Sequence, residues 1–204
     1  MNIDKKKVSY VLGQSIGGDF RRQGFEIDAE VFFKSFLDAL EGKEPGMSVG
    51  EMQLVFQQFQ QDVQERNHIR KQELAKVNHD KGIAFLAENR KTPGVFETSS
   101  GLQYKVLVEG QGEKPKATDT VETHYEGRTL DGKVFDSSYR RGTTTSFPLN
   151  AVIKGWTEAL QLMNVGSKWE LYIPSELAYG PQGSGGTIEP NSTLVFTVEL
   201  IGIK

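Results

Sequence analysis

The apolar residues of this chain change their period once, near Pro93, and no single layer of secondary structure accommodates both periods. Before that point the spacing is helical. Val8, Leu12, Ile16 and Phe20 step by four, and Phe32, Phe33, Phe36, Leu37 and Leu40 form a second stripe, with Asp28 placed to cap it and Gly42 to stop it. A third helix is signalled by Ser48 and Glu51 at capping-box spacing, followed by Met52, Val55, Phe56, Phe59 and Val63.

Beyond Val63 the stretch QERNHIRKQELAKVNHDKG keeps helix-forming residues but only scattered apolar ones. A helix that is polar nearly all round either bridges through solvent or is not stable. No proline interrupts residues 48–92, and Asp62 and Arg66 form an i,i+4 pair, so a bridging helix roughly 60 Å long is expected, with Gly82 as its weak point. The stub before it is Phe-rich but only about 60 residues long, a size at which a lone core is marginal. Pairing two copies would bury more. Gly13 and Gly17, one turn apart beside Ser9, offer a strip where a second backbone could approach, or else simply loosen the helix.

After Pro93 the period becomes two: Leu102, Tyr104, Val106 and Val108, then Val121, Thr123 and Tyr125, then Trp169, Leu171 and Ile173, and finally Leu194, Phe196, Val198 and Leu200. These read as strands with one wet face. Asp131-Gly132 is a hairpin signal, and NAVIKGWTEALQLM is the one stretch of this half helical enough to cover the apolar face. The expected class is α+β, divided into a helical dimerisation domain at 1–47, a linker helix at 48–92 and a sheet domain at 93–204.

Composition narrows the chemistry. A net charge of −3 without blocks of like charge removes the attraction that drives nucleic-acid binding. The absence of cysteine excludes thiol nucleophiles and Cys-based metal sites. No apolar run approaches the roughly 20 residues of a membrane span, so a cytoplasmic location is expected for the chain as it stands, or a periplasmic or cell-surface one if a signal peptide was removed. No phosphate loop, nucleophile elbow or metal-spaced pair is found among His68, His79 and His124, so no metal or cofactor is expected.

What remains is a set of aromatic and β-branched residues around single polar groups: Tyr125, Phe135, Asp136, Val152, Ile153, Trp156, Tyr179, Ile188 and Phe196. Asp136 directly follows Val134 and Phe135, and an acid placed behind apolar residues needs hydrogen-bond partners. Tyr125 and Arg141 are the candidates. Tyr179 stands at the mouth of a glycine-rich loop, the composition of a mobile rim.

The segments VFDSS, VIKGWTEAL, VGSKWELYIPSELAYG and PNSTLVFTVELI resemble the FKBP-type peptidyl-prolyl cis/trans isomerases from about Gly101 to Lys204. The N-terminal half, with VSYVLG and FLAENRKTPGV, resembles the macrophage infectivity potentiator (Mip) branch of the bacterial members. The resemblance implies a curved antiparallel sheet wrapped around a short helix, and a V-shaped homodimer joined through the N-terminal helices with chaperone activity. It also implies a proline pocket: Tyr125, Phe135 and Asp136 on one side, Val152 and Ile153 at the upper edge, Trp156 as floor, and Tyr179, Ile188 and Phe196 opposite. Its implied partners are proline-containing unfolded or partly folded proteins and macrolides such as rapamycin. Thr145, Ser184, Thr187 and Glu189 depart from the more apolar rims common in the family, which bears on macrolide affinity and peptide preference.

Overall fold

The computed structural model describes residues 4–204, which form two compact units, one ending at Gln61 and the other comprising Asp62–Lys204. The first contains α1 (Lys5–Gln23), α2 (Ala29–Leu40) and the beginning of α3 (Val49–Asn89). Each start follows the local chemistry. Asp4 caps α1, Asp28 accepts from the Val31 N–H at 3.0 Å to cap α2, and Ser48 and Glu51 exchange bonds in a capping box, with Ser48 N to Glu51 Oε2 at 2.9 Å. Gly42, at φ +71°, takes the left-handed turn that follows α2.

Edge-to-face aromatic pairs join the elements of this unit, with ring centroids 5.7 Å apart for Phe20–Phe32 and 4.9 Å for Phe25–Phe59. Yet no residue of α1 or α2 is buried. Val11, Val31, Phe33, Leu37, Leu40 and Phe56 each leave more than half of their surface open. The apolar stripes that make these helices amphipathic therefore lack a cover within one chain.

The second unit is an antiparallel sheet in the order β1 (Val95–Glu97), β2 (Gln103–Val108), β6 (Lys168–Ile173), β7 (Leu194–Ile203), β3 (Thr120–Thr129) and β4 (Val134–Ser137), with β5 (Thr145–Pro148) pairing β3 beyond β4's reach. A one-turn helix, α4 (Ser138–Arg141), follows β4. The longer α5 (Lys154–Leu162) buries Trp156, Ala159 and Leu160 against the inner face, where Leu171, Ile173, Leu194, Val198 and Leu200 complete the core. The β3–β4 hairpin turns at Asp131-Gly132, with Gly132 at φ +83°. This is the α+β architecture, long N-terminal helices followed by a sheet around a short helix, that the sequence predicts.

The outer face of the sheet is not uniformly wet, and this changes the reading of the polar helix. The last turns of α3 lie on it: Phe85 packs on Tyr172 with centroids 5.9 Å apart, the Gln103 side chain donates to the Leu86 carbonyl at 2.9 Å, and Asn89 donates to Gln103 at 2.9 Å. Gln103, Tyr172 and Val195 are buried there. Residues 62–89 group with the sheet unit, the last turns docked on the sheet while residues 64–73 remain exposed to solvent. Gly82, expected as the weak point, is instead the one buried residue of α3. A Cβ added there would fall on the Thr193 side chain, well inside contact distance. Gly82→Ala is therefore expected to lower stability by about 1–3 kcal/mol through overpacking, although alanine is the better helix former. Thr193→Ala in the same chain should recover most of that loss, as read from denaturant melts.

Candidate active site

The side chains that meet on the inner face come from β3, β4, β5, the segment before α5, α5 itself, the loop after β6, and β7. They enclose a cavity of about 470 Å³ lined by Tyr125, Phe135, Asp136, Phe147, Ala151, Val152, Ile153, Trp156, Tyr179 and Phe196. Trp156 is buried beneath it, with Tyr125, Phe147 and Phe196 around its indole at centroid distances of 5.1, 5.3 and 5.3 Å. Phe135 meets Phe196 edge to face at 5.5 Å. The result is a small aromatic box.

Local register explains why an acid follows two apolar residues. Gly127 of β3 pairs with Asp136, but the next residue, Arg128, pairs with Val134, so Phe135 is skipped by the ladder. Regular strand residues would alternate faces; the bulge lets Phe135 and the adjacent Asp136 both line the cavity. Gly127 makes room beneath them. A Cβ at that position would stand 2.6 Å from both the Phe135 and the Phe196 ring.

Asp136 is held from two sides. The Tyr125 hydroxyl donates to its Oδ2 at 2.6 Å, and the Arg141 guanidinium pairs with its Oδ1. Arg141 also donates to the Tyr125 oxygen at 3.1 Å and to the Thr145 hydroxyl at 3.4 Å. Burial alone would raise the Asp136 carboxyl, but the bonds from Tyr125 and Arg141 outweigh it and hold the group below its ordinary value of 3.8. The tyrosines move the other way. Burial, then the bond to Asp136, raises Tyr125; burial, then the charge of Asp136, raises Tyr179.

Two donors on the wall are left open, besides the buried indole Nε1 of Trp156 on the floor, which also lacks a partner among the described residues. Neither the Ile153 N–H nor the Tyr179 hydroxyl has a hydrogen-bond partner among the described residues. Ile153 is the residue from which α5 starts, in extended conformation, so its N–H precedes the helix's own ladder. An aromatic box with a fixed carboxylate on its wall and two free donors beside it suits a ring-sized apolar group flanked by amide carbonyls.

Eight of the ten residues expected at the site line this cavity: Tyr125, Phe135, Asp136, Val152, Ile153, Trp156, Tyr179 and Phe196. Arg141 stands behind the lining, bonded to Asp136 and Tyr125. Ile188, within the loop that follows Tyr179, packs into the core and is not part of the lining. Phe147, Ala151 and Gly127 were not anticipated. Phe147 sits opposite Val121 on a strand of only four residues that ends in proline, too short to show its alternation. His124, which the sequence places opposite Tyr125, is indeed on the outer face, stacked on Tyr139 at 4.8 Å and bonded to Ser138 at 2.8 Å.

Comparison with known proteins shows the family and the overall fold. Residues 111–201 match the family model for the FKBP-type peptidyl-prolyl cis-trans isomerase, and residues 5–106 match that for the domain amino terminal to it. The peptidyl-prolyl cis-trans isomerase Mip of Coxiella burnetii is 46% identical over 204 residues, which is 100% of this chain and 89% of that protein. The outer membrane protein MIP of Legionella longbeachae is 42% identical over 100% of this chain and 88% of its own length. Among solved structures, FkpA from Escherichia coli superposes with a TM-score of 0.79 at 39% identity, covering 100% of this chain and 98% of that one.

Proposed function

The chain belongs to the FKBP-type peptidyl-prolyl cis-trans isomerases and carries their activity, and on that premise we propose that the cavity floored by Trp156 is the site at which X-Pro bonds of folding proteins are isomerised. The observation that carries this assignment is the pairing of an apolar, aromatic cavity with an ionised Asp136 and two unpartnered donors on its wall.

The chemistry follows from the amide. Rotation about an X-Pro bond breaks no covalent bond but must overcome amide resonance, a barrier of roughly 18–20 kcal/mol. The planar amide is more polar than the twisted one, so transfer into a dry aromatic box favours the twisted state. Trp156, Phe135, Phe147, Val152 and Phe196 hold the ring. The Ile153 N–H and the Tyr179 hydroxyl fix the flanking carbonyls. Asp136, locked by Tyr125 and Arg141, presents a negative charge to the carbonyl carbon side and keeps the wall rigid.

Asp136→Leu removes the acceptor of both Tyr125 and Arg141 and is expected to lower kcat/KM on an X-Pro tetrapeptide about tenfold or more. Asp136→Asn, which keeps an acceptor, should lose less. Between about pH 5 and about pH 9 the kcat/KM of the wild-type protein should stay flat, because Asp136 titrates below this window and the two tyrosines above it. The stability sign is the same. A lowered carboxylate contributes fully above its unfolded value, near 3.8, and that contribution disappears only as pH falls through the lower folded value. A pH profile with a midpoint inside the window would contradict this assignment.

The reading extends to assembly. The uncovered apolar faces of α1 and α2, and the open surroundings of Gly13 and Gly17, where an added Cβ would meet nothing within 4 Å, support a homodimer formed through these helices, V-shaped as the resemblance implies. Two pockets on one dimer would bind one unfolded chain bivalently, which supports a chaperone activity beyond catalysis. The same cavity would accept a macrolide such as rapamycin, with Thr145 committed to Arg141 at its edge.

A further inference from the structure

The loop after β6 carries Tyr179 to the cavity and returns to β7 through residues 180–193; Ile188 anchors it in the core, and the side-chain hydrogen bonds between residues 180–193 and other elements of the sheet unit are made with α3. Asn78 of α3 donates both amide hydrogens to it, one to Glu189 Oε2 at 3.0 Å and one to the Pro190 carbonyl at 3.1 Å. Asn191 reciprocates, its side chain donating to the Ala75 carbonyl at 3.3 Å. Lys71 reaches Gln182 at 3.0 Å. Three residues spaced over two turns of one helix face thus grip the two ends of a single loop.

The grip is transmitted to Tyr179 by short links. Asn191 holds φ +54°, the single left-handed non-glycine residue among those described, and in that conformation its N–H donates to the Gly180 carbonyl at 2.8 Å. Gly180 is the residue directly after Tyr179. Between the ends, Ser184 and Ile188 exchange backbone bonds at 2.9 and 3.0 Å, and Ile188 is buried in the core, so the loop is a braced hairpin rather than a loose flap.

We propose that Asn78 is a positioning residue of the isomerase site, and that through Pro190, Asn191 and Gly180 the second half of α3 holds the Tyr179 rim in its substrate-binding position. This rests on the assignment of the cavity as the prolyl site. Asn78 touches no substrate. Its effect is on the fraction of molecules whose rim is in place, and a binding site that is only fractionally formed weakens apparent affinity in proportion while leaving the rotation step itself unaltered.

The test uses the full chain and the variants Asn78→Ala, Glu189→Ala and Glu189→Gln, with an X-Pro tetrapeptide as substrate and amide hydrogen exchange on the same samples. Alanine is favourable at a helical position, and Glu189 is exposed, so the second variant keeps the test open even if the first folds poorly. Asn78→Ala is expected to raise KM about three- to tenfold with kcat within about twofold, and to speed exchange of the Ser184, Ile188 and Asn191 amides. Glu189→Ala, which leaves the bond to Pro190, should show the same pattern to a smaller degree, and Glu189→Gln, which keeps an acceptor for Asn78, should hold exchange of the same amides at the wild-type rate. Unchanged KM and unchanged exchange in both alanine variants would overturn the proposal, as would a loss confined to kcat. Failure of the isomerase reading shows itself differently, as a wild-type chain that does not accelerate the peptide at all, while the exchange result still decides whether α3 holds the loop.

Discussion

Trp156→Ala is expected to reduce kcat/KM on an X-Pro tetrapeptide roughly a hundredfold, the equivalent of about 2.7 kcal/mol of transition-state binding. The indole is the floor of the cavity and the hub of three aromatic contacts, so its loss removes the surface on which a proline ring would rest and lets water into the box. The same substitution should cost about 3–5 kcal/mol of stability, because a large buried side chain in a close-packed core leaves a void that its neighbours fill only in part. The two effects are separable. Trp156→Phe restores much of the lost volume, and a variant that regains stability without regaining activity would place the catalytic requirement on the shape of the floor. Peptide kinetics and denaturant melts on the same preparations provide both readouts.

Phe33→Glu combined with Leu37→Glu should convert the proposed dimer into monomers, with the mass from light scattering falling to half of the wild-type value. Both side chains lie on α2, leave more than half of their surface open in the single chain, and are four residues apart on one face. Burying two carboxylates in an apolar interface without partners costs far more than one interface residue contributes, so dissociation is the expected outcome. Tetrapeptide turnover per chain should stay within about twofold, because the cavity is built wholly from residues beyond Gln61. Acceleration of protein refolding at low enzyme concentration should fall about tenfold or more, through loss of the second binding event. Equal loss on both substrates would show that the helices act on the site itself.

The parts of this molecule that follow from short-range rules were legible in the sequence. Asp28 and the Ser48–Glu51 box start helices where their side-chain oxygens satisfy free N–H groups, and Asp131-Gly132 makes its hairpin because glycine accepts φ +83°. The inward faces of β3, β6 and β7 followed from alternation over six to ten residues. Most of the site was legible through its resemblance to a known family, and the alternating strands agree with it.

What escaped depends on contacts between segments distant in sequence. Phe147 and Gly127 enter the site because of what lies across from them, Val121 on one strand and the Phe135 and Phe196 rings above the other. The docking of α3 was hidden for a similar reason. Its grip on the sheet uses one glycine, two asparagines and one phenylalanine in place of an apolar stripe, so hydrophobic periodicity carries almost no sign of it. The bulge that turns Phe135 and Asp136 the same way is likewise a property of pairing with β3, although the unusual order of an acid behind two apolar residues marked the place.

The most direct test of the account is the rate of a proline-limited protein refolding reaction in the presence of substoichiometric full-length chain. The account predicts a rate that rises in proportion to added protein, is lost in Trp156→Ala, and is suppressed by a macrolide that fills the cavity. A chain that suppresses aggregation of the same client but leaves the proline-limited rate unchanged would contradict it, and would make the cavity a binding surface of a holdase rather than a site of isomerisation.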